Sequence, residues 1–355
     1  MAEITQIRGI LLEEVVLFLL QHVGYRIITH LDDGTRPGPA GLEVQGRGTW
    51  HQIDALAAFD RTPAFMYPLR LMVEAKCYER SRKVGIDIVR NAVGVLKDIS
   101  ENYFTIKTNR GADSVQAQRY NYHAAIFSSS SYTRGAQNYA LAHQIFLIQY
   151  ERVRIIRPIV EAILDMRDSS FEKQALLRPS EIRKYFRQIV ESKEVKDWDK
   201  DQPFTADGLK LVSERIIPNI QKIQGSYFGM LQGRWPLHLL AKDELPGEAF
   251  QSDEILCKIW GRDSENWSFV PSQYTEDDPR WFRLEFDLPE EIAKMLVTAR
   301  FDAEQAANVK KTYLNYLDVS GKIGGIQRQV RLKLDEEWIA AYSKRARKRR
   351  KPEEE

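Results

Sequence analysis

The chain has 355 residues, 43% of them hydrophobic, which is enough for one large domain or two ordinary ones. Its 52 basic and 50 acidic residues nearly cancel to a net charge of +2, so global charge selects neither for nor against a polyanionic partner. Two cysteines, Cys77 and Cys257, exclude a disulfide framework and a four-cysteine zinc site, and they point to a reducing, cytoplasmic setting.

Residues 4–23 carry apolar side chains at helical spacing (Ile4, Ile7, Leu11, Val15, Phe18, Leu19, Val23), and Gly24 stands where a helix ends. Glu13 and Glu14 interrupt the apolar run and no cleavage site follows, so it does not read as a signal peptide. No run reaches the length of a membrane span, and no membrane partner is expected. Residues 25–29 read as a strand, and residues 32–41, rich in Gly, Pro and Asp, as a loop.

Between Gly46 and Lys76 lie two apolar runs, joined by a segment containing Pro63 and Pro68. The first runs through Ile53, Ala55, Ala57 and Phe59, with Asp54 at its edge. The second, residues 69–73, leads into Glu74, Ala75 and Lys76. Side chains two apart on a strand share a face, so Glu74 and Lys76 project together and Ala75 points the other way. If the two runs pair as neighbours, Asp54 comes up beside Glu74. Two carboxylates and an ammonium at a sheet end suit magnesium, which takes one or two carboxylates and completes its shell with water and phosphate oxygens. Gln52, two residues before Asp54, shares its face.

A polar link, residues 78–83, precedes a helix over 86–99. A strand over 121–127, a serine turn at 128–131, a helix over 133–143 and a strand over 145–148 complete the pattern. The order predicts an α/β fold, a mixed sheet flanked by helices. Helical periodicity continues to about residue 195, and the Asp/Lys-rich stretch 193–201 reads as a link. Strand candidates at 227–231, 235–240, 281–286 and 327–334 alternate with helices near 289–300 and 302–317, and Gln232-Gly233 suits a hairpin turn. The expected divisions are a sheet domain at 1–150, a helical linker at 151–200, an α+β region at 201–340 and a charged tail at 341–355. Residues 344–351 are nearly all basic, a solvated run that can also grip phosphates without reading sequence. His51 reads as a hydrogen-bonded histidine and His123 and His143 as packing residues, because no second histidine sits at ligand spacing.

The series of Glu on the first helix, Asp on one strand and Glu-x-Lys on the next resembles the PD-(D/E)XK nuclease superfamily, with its restriction-endonuclease-like fold. Leu12-Glu13-Glu14-Val15-Val16 through Leu19-Leu20 to Gly24-Tyr25 looks like the first helix of the Mrr-type restriction endonucleases. Residues 128–148, with Tyr132-Thr133-Arg134-Gly135-Ala136-Gln137 and Ala140, look like that family's closing strand–helix–strand. The likeness covers residues 4–150. It implies an endodeoxyribonuclease that hydrolyses phosphodiester bonds with Mg2+, or Mn2+ as a substitute, in prokaryotic antiviral defence (restriction) or DNA processing. Asp54 and Glu74 resemble the metal-binding carboxylates, joined by the backbone carbonyl of Ala75. Lys76 resembles the lysine that orients the attacking water, and Glu13 the acid on the first helix, with Glu14 as its competitor. Ile53 departs from the proline of the family name, and Glu74 stands where many Mrr-type members carry glutamine. The resemblance further implies DNA as partner and a homodimer, since one site cuts one strand, with protein partners reached through residues 201–340. Two alternatives remain, a junction-resolving nuclease and a catalytically silent DNA-binding or scaffold subunit of a defence complex.

Overall fold

The first helix, α1 (Ile4–His22), is apolar on all sides, and from Ile10 to Leu20 every residue is buried. A helix with no polar face belongs inside a layered core. The structure is a computed structural model and describes residues 3–38, 41–59, 61–102, 105–107, 114–116, 119–194, 202–231, 235–262, 265–298 and 303–341. After α1 come strands β1 (Arg26–Ile27), β2 (Thr35–Gly38), β3 (Gly41–Gln45), β4 (Trp50–Ile53), β5 (Ala55–Phe59) and β6 (Leu69–Lys76). Helix α2 (Ile86–Ser100), a short antiparallel ribbon of β7 (Thr105–Lys107) and β8 (Ser114–Gln116), β9 (Asn121–Ser128), helix α3 (Arg134–Ala142) and β10 (Ile145–Gln149) follow.

One sheet has the order β1-β5-β6-β9-β10. Strand β5 runs antiparallel to β6, whereas β6 runs parallel to β9 from Leu69↔Asn121 to Lys76↔Ser128. A parallel pair needs a crossover, and the segment carrying α2 provides it. Helices α2 and α3 cover one face, where Val89, Ala92, Ala136 and Ala140 meet Leu56, Met72 and Ile126. Thr133 caps α3, its Oγ accepting from the Ala136 amide at 3.2 Å.

Strands β2, β3 and β4 form a separate antiparallel sheet. The expected loop at 32–41 therefore contains a strand. Pro37 is tolerated because β2 is an edge strand, where a missing N–H removes no necessary ladder bond. The expected strand at 25–29 is ordered as strand only at Arg26 and Ile27, although the Ile28 amide still donates to Leu56 O at 2.9 Å.

The segment expected as a linker holds α4 (Arg157–Asp165) and α5 (Pro179–Ser192), and α6 (Ala206–Leu211) and α7 (Ile217–Ile220) come after it. Ile159, Ile163, Ile182, Phe186 and Ile189 are buried, and α5 packs on α1. Amphipathic helices of this kind must bury their apolar stripe, and here they do so within the sheet domain. The chain divides into two compact units, Met1–Ile148 with Pro158–Gln221, and Gln149–Arg157 with Lys222–Glu355. Residues 195–201, in the expected Asp/Lys-rich link, lie outside the described residues.

The second unit contains a closed seven-stranded barrel, which the expected α+β region did not include. Its strands are β11 (Gly225–Leu231), β12 (Trp235–Ala241), β13 (Glu254–Arg262), β14 (Glu265–Pro271), β15 (Leu284–Phe286), β16 (Tyr316–Ile323) and β17 (Ile326–Leu334). Helices α8 (Glu290–Thr298) and α9 (Ala303–Tyr313) lie between β15 and β16. The barrel order is β11-β12-β15-β14-β13-β17-β16, closed by pairing of β16 with β11. Only the β13–β17 pair among these ladders is parallel. Tyr227, Leu239, Phe269, Phe286 and Leu332 fill its interior. Gly321 leaves room for the Tyr227 ring, since a Cβ there would lie 2.5 Å from it. The Gln232-Gly233 turn and the basic tail lie outside the described residues, among which no helix is long and apolar enough to cross a membrane.

Candidate active site

The β5–β6 ladder pairs Ala55 with Val73, and continuing that register sets Asp54 opposite Glu74. Lys76 stands two residues beyond Glu74 on the same face. Its Nζ lies 2.8 Å from Glu74 Oε1 and 4.0 Å from Asp54 Oδ2. The side chains of Glu74 and Lys76 are 23% and 24% exposed, while Asp54 is 42% exposed. Ala75, facing the other way, is buried. The three expected residues thus converge at one sheet end.

Burial raises the pKa of Glu74 against the pull of Lys76, and Asp54 adds to the rise. Burial also disfavours the Lys76 ammonium, but Glu74 and Asp54 outweigh it and the pKa of Lys76 is raised. Lys76 is therefore a cation near neutral pH and not a proton acceptor. Its chemistry is donation of hydrogen bonds to an anion or a water.

Two hollows open beside this cluster, and Gln52, Asp54 and Lys76 line both. A cavity of about 110 Å³ is also lined by Glu74 and by Asn91 of α2. A larger one, about 440 Å³, is walled by Glu13 of α1, Arg82 of the link after β6, and Arg178 and Arg183 at α5. The end of the β5–β6 ladder and the packing of buried α1 against β6 account for this meeting. Gly9 of α1 approaches the backbone so closely that a Cβ on it would lie 3.3 Å from Ala75 O.

Glu13 and Glu14 are both fully buried, and α5 supplies their partners. Arg183 binds Glu13 through both carboxylate oxygens and reaches Glu14 Oε1 at 3.1 Å. Arg187 donates to Glu14 from Nε at 2.6 Å and from NH2 at 2.9 Å. Only Glu13 of the two lines the large cavity. Burial pushes its carboxyl pKa up from the ordinary value against the pull of Arg183, and the charges of Asp54 and Glu14 push the same way. The expected helix acid thus reaches the site already engaged by a guanidinium. Among the described residues no group of three or more His, Cys, Asp and Glu side chains gathers as a metal-ligating cluster.

His51 Nε2 lies 2.7 Å from Asp98 Oδ2, and His123 stacks on Phe146. Both cysteines are buried, and burial pushes the Cys77 thiol up to about 12, which leaves it inert as a nucleophile. Sequence reasoning missed Arg82, Asn91, Arg178, Arg183 and Arg187. Arg183 and Arg187 carried a readable signal, two arginines four apart on one stripe of an amphipathic helix. Their acidic partners lie about 170 residues away, so the pairing itself was not readable.

The fold and site define a mixed α/β protein with two carboxylates and a lysine at a sheet end, beside a cavity of mixed charge. No family model matches this chain, and no curated protein matches it. A solved structure entitled "Crystal Structure of Protein of Unknown Function AF1548" is similar at 15% identity with a TM-score of 0.27. The match covers 52% of this chain and 98% of that one, and a likeness this weak carries no argument about fold or function.

Proposed function

We propose that the first unit is a Mg2+-dependent endodeoxyribonuclease with a restriction-endonuclease-like fold, acting in prokaryotic defence or DNA processing. The observation that carries this reading is the convergence of Asp54, Glu74 and Lys76 at the end of paired strands, with the Lys76 ammonium 2.8 Å from Glu74 and 4.0 Å from Asp54. The donor set fits magnesium, because Asp54 and Glu74 supply two hard oxygen donors and the open cavity leaves room for water and phosphate oxygens. The Ala75 carbonyl is the further ligand in this reading. When bound, Mg2+ would stabilise negative charge developing on the phosphate oxygens and lower the pKa of a nearby water.

The chain's own residues do the rest. Lys76, held cationic, donates a hydrogen bond to the attacking water or to a phosphate oxygen and fixes its approach. Arg183, clasping Glu13, limits the negative charge facing the phosphate. Gln52 lines both hollows beside Asp54 and offers an amide to the same water. The second unit serves target recognition or partner binding, and a homodimer would bring two sites to two strands.

The test is cleavage of supercoiled plasmid with Mg2+, with Mn2+ and with chelator. Metal-dependent nicking is expected, and equal nicking in chelator would overturn the reading. One observation favours the silent-subunit alternative: Lys76 offsets Glu74, and Arg183 offsets Glu13, so that of these acids only Asp54 is left without a cation of its own. That alternative predicts no cleavage of plasmid or branched DNA under any metal.

A further inference from the structure

The large cavity has two walls that the catalytic proposal does not use. On one side the link after β6 carries Tyr78 and Arg82. The Tyr78 oxygen is close enough to act on the charge of Lys76, and the Arg82 guanidinium lies 4.1 Å from the centre of the same ring. Arg82 is exposed and, among the described residues, has no carboxylate partner. On the other side Arg178 opens α5, five residues before the Arg183 that clasps Glu13. Its side chain is 71% exposed and pairs with Glu181 at 3.1 Å on the helix surface. Such a surface pair is weak and readily exchanged for another anion.

The charges are unevenly committed. Arg183 is held by two buried carboxylates and Lys76 belongs to the catalytic cluster with Glu74 and Asp54, so among the described residues lining the cavity Arg82 and Arg178 are the remaining cations. An Arg fork matches phosphate geometry, and stacking on Tyr78 holds the Arg82 plane at low entropic cost. We propose that Arg82 and Arg178 form a backbone-phosphate subsite, gripping phosphodiester groups of a nucleic-acid strand beside the group held at Lys76. This inference rests on the nuclease reading for its substrate class. It assigns to α5, beyond the part of the chain resembling a nuclease, a direct role in substrate binding.

The experiment measures binding of a fluorescent duplex oligonucleotide by anisotropy, in chelator so that nothing is cut, across a series of salt concentrations. Each phosphate contact removed should lower the slope of log affinity against log salt by about 0.9. The double variant Arg82→Ala, Arg178→Ala should therefore lose nearly two units of slope and bind about tenfold more weakly at low salt. Arg82→Lys with Arg178→Lys keeps both charges and should keep most of the slope. Arg47→Ala, an exposed charge lost from the first unit away from both cavities, should leave it unchanged, and thermal melting checks that all variants fold. The proposal is overturned if the double alanine variant binds like wild type, if Arg47→Ala costs as much slope, or if wild type shows no salt-dependent binding. Failure of the nuclease reading is separate: it appears as absent Mg2+-dependent cutting by wild type, whatever the binding slope.

Discussion

Glu13 and Arg183 pose the sharpest energetic question at the scale of single residues. A fully buried carboxylate is tolerated only when hydrogen-bonded to a cation, and removing one partner of a buried pair leaves the other charge stranded. Arg183→Met should destabilise the first unit by about 3–5 kcal/mol in urea denaturation, because Glu13 loses both its hydrogen bonds. Arg183→Lys should recover part of this, since a lysine keeps the charge but not the fork. An unchanged denaturation midpoint for Arg183→Met would contradict the pairing. The sequence made Asp54, Glu74 and Lys76 legible because strand alternation is local: two residues apart means one face. It left the clasp on Glu13 invisible, since nothing local to α1 says which helix will lie against it.

Secondary-structure elements were legible in proportion to how local their causes are. Helices α1, α2 and α3 follow from apolar spacing and, for α3, from a threonine cap. Strand β2 was hidden by Pro37 and Gly38, which resemble loop signals unless the strand is known to be an edge. Strands β13, β14 and β16 were missed although β13 pairs with the adjacent β14 and β16 with the adjacent β17, because closure of the barrel supplies the burial that their own sequence only half suggests. Strand β12 makes its own prediction through His238. Tyr150 Oη lies 2.7 Å from its Nδ1, Ser226 Oγ lies 2.8 Å from its Nε2, and Phe228 stacks on the ring. Burial lowers its pKa to about 3, below the ordinary 6.5. A group whose folded pKa is depressed binds fewer protons in the native state, so its stabilisation is complete above pH 6.5 and is lost as pH falls toward 3. Between pH 6.5 and 5 this loss should reach about 2 kcal/mol. Asp287 works the other way, because burial pushes its pKa up to about 6 and its contribution is lost as pH rises through that value. Comparing wild type with His238→Gln by denaturation at pH 7 and pH 5 isolates the histidine. The variant should be less stable at pH 7 and lose less on acidification, and an equal acid loss in both would remove His238 from the explanation.

Across the whole chain the division of labour follows the two compact units. The first, Met1–Ile148 with Pro158–Gln221, contains every residue of the candidate site, including the arginines of α5. Folding α4 to α7 into this unit explains why residues beyond 150 matter to a site whose three central residues lie before position 77. Among the described residues the second unit, with its closed barrel, contributes none to the site, and it carries the recognition role in the proposal. The account stands on a hydrolytic centre made by one aspartate, one glutamate and one lysine at the end of a sheet. Its most direct test is plasmid cleavage with Mg2+ by wild type, Asp54→Ala and Lys76→Ala side by side, with melting curves to show that all three are folded. The account predicts cutting by the wild type and a loss of at least about 100-fold in each variant, the scale of removing one transition-state contact. Equal cutting by all three proteins would contradict it.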